Sequence, residues 1–300
     1  MLHVSYAPIY AHPLPSGHRF PMAKYDWIPQ QLLLEGVITA DDLDAPDRCP
    51  DQIAALVHDP AYLDKLNGLK LDEREQRRIG FPQSPLLVER EFRIVQGTIN
   101  ACVAASSAGV GLNVAGGTHH AFRDRGEGFC LLNDFAVASA WLLQSGRAHR
   151  ILIVDLDVHQ GNGTAAIFHQ DDRVYTFSMH GAHNYPFHKE QSDRDVPLRD
   201  GIGDDEYLGL LRDHLQELLR EFSPDFVCYL SGVDVLATDK FGKLKLTRAA
   251  CQERDKIVFS TFRDRNIPVA VAMGGGYSPD LRTIVEAHCD TFRIARDLYC

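Results

Sequence analysis

From about residue 111 to the end of the chain, short apolar runs alternate with longer amphipathic stretches. The runs at 111–115, 150–156, 174–178, 226–230 and 267–273 read as strands. Between them, residues 132–145, 204–222, 247–264 and 281–298 carry apolar positions at three- and four-residue spacing, the mark of a helix with one buried face. Tyr207, Leu210, Leu211, Leu215, Leu218 and Leu219 show the pattern, and Asp204, Asp205 and Glu206 stand where a helix N-terminus favours negative charge. The alternation predicts an α/β fold: a mostly parallel central β-sheet flanked by helices on both faces. The first hundred residues differ. Prolines punctuate them at 8, 13, 15, 21 and 29, and helices are expected over 52–66 and 85–108, as loops and helices laid on the sheet. No linker, charge run or repeat separates this part, so residues 1–300 are expected to form a single catalytic-sized domain.

Composition narrows the class. The chain has 300 residues, 45% hydrophobic and 24% charged, which excludes collagen-like, low-complexity and disordered chains. No apolar run approaches the roughly 18 residues of a membrane span, and the N-terminus lacks a basic stretch followed by an apolar one. A cytoplasmic protein without membrane or nucleic-acid partners is expected, since no basic block occurs in a chain of net charge −10. That acidity weakly favours cationic substrates such as lysine-rich peptides or polyamines. Seven dispersed cysteines with no CxxC pair argue against a disulfide framework or a cysteine zinc knuckle. Oligomeric state is not legible.

The chemically distinctive residues fall at the carboxyl ends of the expected strands. There stand Gly116-Gly117-Thr118-His119-His120, Asp155 with Asp157-Val158-His159, His180, Ser231-Gly232-Val233-Asp234 and Gly274-Gly275-Gly276-Tyr277. Ligands of open parallel sheets bind beyond those ends, so the segments should converge on one crevice. Asp155, Asp157 and His159 share the period of two that points side chains to one side. A carboxylate and an imidazole from this run, Asp157 and His159, with Asp234 from another strand end, suggest a three-ligand metal site with one open position, as in catalytic zinc. His119 and His120 suit acid and base work, with Asp155 orienting one imidazole and Asn162 hydrogen-bonding the other. Tyr277, after three glycines, sits on backbone free to swing it over a reacting carbonyl. Gly161-Asn162-Gly163-Thr164-Ala165-Ala166 fits a dinucleotide-binding GxGxxA, but the carboxylates entering that turn would repel a pyrophosphate.

Taken together, Gly116 to His120, Gly128-Phe129-Cys130, Asp155 to His159, Ser231 to Asp234 and Gly274 to Tyr277 resemble the zinc-dependent histone deacetylase family, of arginase/deacetylase-like fold. The segment from Gly80 to Arg90 and His159-Gln160-Gly161-Asn162-Gly163 look like class IV members, and Ser16 to Tyr25 like bacterial ones. The resemblance implies zinc on Asp157, His159 and Asp234, with Fe2+ as the alternative ion. It implies His119 and His120 as the catalytic pair and Tyr277 as the oxyanion donor. Gly128, Phe129 and Gly275 would line the substrate tunnel. It also implies structural potassium at Asp155, Ser178 and Met179 with the backbone of Asp157 and His159, and a peripheral cation near Phe168, Asp171 and Val174. Asn162 stands where class I members carry Asp, so His120 should be less basic than His119. The implied activity is hydrolysis of acetyl- or longer fatty-acyl-lysine in a protein or peptide. The alternatives are an acetylpolyamine amidohydrolase, an arginase-like dimanganese ureohydrolase and a non-catalytic acyl-lysine-binding protein.

Overall fold

The structure, a computed structural model, describes residues 2–300. The apolar runs of the central chain become strands because each can be buried on both faces, and their positions are buried throughout. Among the described residues the strands are β1 (Val4–Ser5), β2 (Leu43–Asp44), β3 (Val110–Asn113), β4 (Ile151–Asp155), β5 (Val174–Gly181), β6 (Arg194–Leu198), β7 (Phe226–Leu230) and β8 (Val269–Ala272). They form one sheet in the order β2-β1-β3-β8-β7-β4-β5-β6, every pairing parallel. The helices are α1 (Lys24–Leu34), α2 (Asp51–Ala54), α3 (Pro60–Asn67), α4 (Glu73–Ile79), α5 (Pro85–Ala108), α6 (Asp134–Gln144), α7 (Asn162–Phe168), α8 (Asp204–Glu221), α9 (Arg248–Arg263) and α10 (Leu281–Tyr299). They pack in two groups: α5 against α6 and α3, and α10 against α1 and α9, with α8 on α9. This is the layered α/β arrangement expected from the sequence.

Three local expectations change. The first hundred residues are not only loops and helices, because β1 and β2 extend the sheet beyond β3. The helix expected over 52–66 is two helices: Pro60 lacks the N–H to continue a helix and instead starts α3 at its first turn. Strand β6, of sequence Arg-Asp-Val-Pro-Leu, sits at the sheet edge, where a proline and charges are tolerated.

The strand order places the site. Chain order reverses between β3 and β4, with β8 and β7 filling the gap, so the four central neighbours β3, β8, β7 and β4 point their carboxyl ends at one switch point.

Candidate active site

Each of those four strands delivers one motif. Asp157 and His159 follow β4, and Asp234 follows β7. The His159 Nδ1 lies 2.9 Å from Asp157 Oδ1 and 3.1 Å from Asp234 Oδ2. The three ligand atoms lie within 4.8 Å of one another, and all three residues are buried. Backbone groups hold the outer carboxylate oxygens: Val158 N–H donates to Asp234 Oδ1 at 2.9 Å, and Gly275 N–H to Asp157 Oδ2 at 2.7 Å. Asp234 Oδ2 is buried and accepts no hydrogen bond. Burial, then the neighbouring Asp157 charge, pushes the Asp234 carboxyl up to about 7. An unpartnered buried oxygen beside a second carboxylate and an imidazole fits a divalent cation, and the O, N, O donor set is one that zinc and iron(II) both accept.

His119 and His120 follow β3, their ring centroids 4.2 Å apart. His119 Nδ1 meets Asp155 Oδ2 at 2.6 Å. Burial opposes its charged form, yet Asp155 outweighs burial and the His119 pKa is raised. His120 Nδ1 meets Asn162 Oδ1, also at 2.6 Å, and Asn162 Nδ2 donates to Glu127 Oε1 at 2.8 Å. The second bond assigns the amide its orientation, so His120 Nδ1 carries the hydrogen and Nε2 keeps its lone pair. Burial, followed by the charges of His119 and His159, holds His120 well below the ordinary imidazole range. The two imidazoles thus shift in opposite directions, His119 facing a carboxylate and His120 an amide.

Tyr277 is not free to swing. Its N–H donates to Asp239 Oδ2 at 2.6 Å, and its ring packs against Phe241, Phe20 and Phe129 at centroid distances of 5.0, 6.0 and 6.1 Å. The glycines before it serve close approach instead: a Cβ on Gly275 would lie 2.1 Å from Asp234 Oδ2. Burial and the carboxylates of Asp157 and Asp234 raise the phenol well above its usual pKa, which keeps it a hydrogen-bond donor. Gly128 and Phe129 line the same cavity, and Gly128 has no room for a side chain, since a Cβ there would meet His120 Cδ2 at 2.6 Å. The inner cavity, bounded by His119, His120, Asp157, His159, Gly275 and Tyr277, measures about 40 Å³ and opens to a mouth of about 590 Å³. Gly275 faces the inner cavity and also holds Asp157.

Of the residues expected around potassium, strand register pairs Asp155 with Ser178, and Met179 follows, fully buried. Ser178 Oγ lies 2.9 Å from His180 Nδ1. At the peripheral position Asp171 is already occupied by the Arg173 guanidinium, at 2.8 and 2.7 Å.

The histone deacetylase domain family model matches residues 18–292. The chain belongs to the histone deacetylase family. It is 31% identical over 269 residues to histone deacetylase 2 of Arabidopsis thaliana, covering 87% of this chain and 70% of that one. An uncharacterised protein of Picosynechococcus sp. is 45% identical over 297 residues, 99% of each chain. Human histone deacetylase 1 is 27% identical over 290 residues, 88% of this chain and 57% of the human one. In fold, it is similar to a histone deacetylase homologue crystallised with SAHA, at TM-score 0.84 and 23% identity over 97% of this chain and 82% of that one. The Aquifex aeolicus homologue aligns at TM-score 0.83 and 22% identity, with the same coverage.

Within this deacetylase-family domain, several supporting residues escape sequence reasoning. Asp134, at the start of α6, accepts from Thr98 Oγ1, Thr118 Oγ1, Thr118 N–H and Gly117 N–H at 2.7, 2.7, 2.8 and 3.1 Å, fastening the loop that carries the histidine pair. Arg254, fully buried in α9, donates to the carbonyls of Gly232 and Leu156, tying together the ends of β7 and β4. Lys24 reaches across the fold to donate to Gly274 O at 2.9 Å; burial lowers its pKa to about 8. Their one sequence signal is a charged residue inside an apolar helical pattern, which marks burial but not a partner.

Proposed function

We propose that residues 1–300 act as one metal-dependent amidohydrolase domain that removes acyl groups from lysine side chains, the metal being zinc or iron(II) on Asp157, His159 and Asp234. The observation that carries this reading is the convergence of that triad, the unequal histidine pair and Tyr277 on one buried cavity. A zinc ion bound there would polarise the scissile carbonyl and acidify a water molecule. His120 Nε2, held neutral, takes the proton of the attacking water. The Tyr277 hydroxyl donates to the oxyanion of the tetrahedral intermediate. His119, kept charged by Asp155, protonates the departing lysine amine. Gly128 and Phe129 flank the acyl-lysine chain, and Asn162 fixes the hydrogen on His120 Nδ1. Potassium held by Asp155, Ser178 and Met179 with the backbone of Asp157 and His159 belongs to the same proposal, as does kinship with class IV and bacterial members.

An inner cavity of about 40 Å³ holds roughly three waters, which suits acetyl better than a long fatty acyl chain. The test is a hydrolysis panel of lysine peptides with acyl chains of increasing length, run with and without a chelator, together with metal content per chain. Chelator-sensitive release of acetate with one catalytic ion is expected. Two divalent ions per chain, or tight acyl-lysine binding without hydrolysis, would replace the reading.

A further inference from the structure

The mouth of the cavity carries a charge opposite to that of the whole protein. Its wall includes Arg19, Arg78, Lys240 and Lys243 and no carboxylate, in a chain of net charge −10. These cations come from separate segments: Arg19 ahead of α1, Arg78 on α4, and the two lysines in the loop after β7, all exposed. Arg19, Arg78 and Lys240 form no ion pair among the described residues, while Lys243 lies 3.9 Å from Asp200, which also meets His183. Two further acids close to lining residues are engaged in hydrogen bonds. Glu127 accepts from Asn162 and Tyr185, and Asp239 from the N–H groups of Tyr277, Phe241 and Gly242. The Arg19 guanidinium is held in place, 5.0 Å from the Phe129 ring centre and 5.5 Å from that of Phe241. Phe187, 85% exposed, offers an apolar wall beside Tyr185.

Unpaired cations around an apolar mouth favour a chain with negative charge beside the reacting group and repel one with positive charge. Resting on the deacylase reading above, we infer that the substrate is an acylated lysine flanked by aspartate or glutamate in a polypeptide, and that acetylpolyamines and lysine-rich tails are disfavoured. The acidity of the protein as a whole, which suits cationic substrates, is overridden at the one place a substrate enters.

The test compares kcat/KM for three matched acetyl-lysine peptides, flanked by Glu, Gln or Lys, and for an N-acetylated polyamine, at low and high ionic strength. Opposite charges roughly 7 Å apart in water change association about threefold each. The Glu peptide should therefore exceed the Gln peptide by about threefold per added carboxylate, with the Lys peptide and polyamine below both, and salt should compress the series. Lys240→Glu should narrow the series, and in Arg78→Glu/Lys240→Glu, where two cations of the mouth face two new carboxylates, the preference for the Glu peptide should vanish. Equal rates for the three peptides with the wild-type protein, its preference for the Lys peptide or polyamine, or an unchanged series in the double variant overturns this inference while leaving lysine deacylation in place. Failure to hydrolyse any acyl-lysine peptide removes both.

Discussion

A single methyl group at position 275 probes the metal site. The Cβ of Gly275→Ala would lie 2.1 Å from Asp234 Oδ2 and 2.8 Å from Asp157 Oδ2, where side chains do not approach closer than 3.0 Å. The loop cannot retreat without breaking the 2.7 Å bond from Gly275 N–H to Asp157 Oδ2. A carboxylate must therefore shift by nearly 0.9 Å, against a tolerance of about 0.2 Å for metal ligands. Metal affinity should fall by about 10- to 100-fold, with about 1–3 kcal/mol lost from the metal-free fold through overpacking. Metal per chain is read by elemental analysis after dialysis against graded zinc buffers, and melting temperature is measured with and without metal. Wild type should melt higher when loaded; the variant should show little difference. A variant that loads one ion with wild-type affinity would refute both the steric argument and the assignment of Asp157 and Asp234 as ligands.

The other predictions span chemistry, support and pH. Tyr277→Phe and His120→Ala should each lower kcat by about two orders of magnitude or more while metal content stays at wild-type level; near-normal turnover in a metal-loaded variant removes the role. Asp134→Asn leaves one oxygen where four donors converge, so denaturant unfolding should show about 3 kcal/mol lost. His58 accepts from Asn133 N–H at 3.0 Å, and burial lowers its pKa to about 4 from 6.5. Below pH 6.5 the unfolded chain binds the proton that the folded one refuses, so about 3 kcal/mol of stability should drain away as pH falls from 6.5 to about 4. Melting curves of His58→Gln should show a shallower acid slope, and an unchanged slope would remove His58 from the account.

Long apolar runs made the middle of the sheet legible, because β3, β4, β5, β7 and β8 must be apolar to be covered on both faces. That Asp157, His159 and Asp234 lie together, near the histidine pair, was legible for a related reason: a parallel sheet collects its carboxyl ends, so residues far apart in sequence can be assigned to one crevice. Strands β1 and β2, two residues each, are too short to show alternation. Edge strand β6 is too polar to look like a strand. Asp134, Lys24 and Arg254 act through partners 16 to 250 residues away, and no local pattern encodes such distances. The cationic mouth was hidden because its four residues come from three segments of an acidic chain. The mobility expected of Tyr277 was misjudged for the same reason, since its anchors Asp239, Phe20 and Phe129 lie elsewhere in the sequence.

The strand order also governs how the chain reaches this state during synthesis. Val110 of β3 pairs with Val269 of β8, so the inner edge of β3 has no neighbour until about 160 further residues have been made. β4 waits likewise for β7. The half-sheets assembled early thus expose apolar edges, the condition under which nascent chains aggregate or recruit chaperones. Distant pairings of this kind also make folding slow. Because β8 is the last strand to be made and Tyr277 follows it, chains stalled before residue 269 lack both a central strand and the proposed oxyanion donor. Under the proposed mechanism, a chain cut before Tyr277 would be inactive.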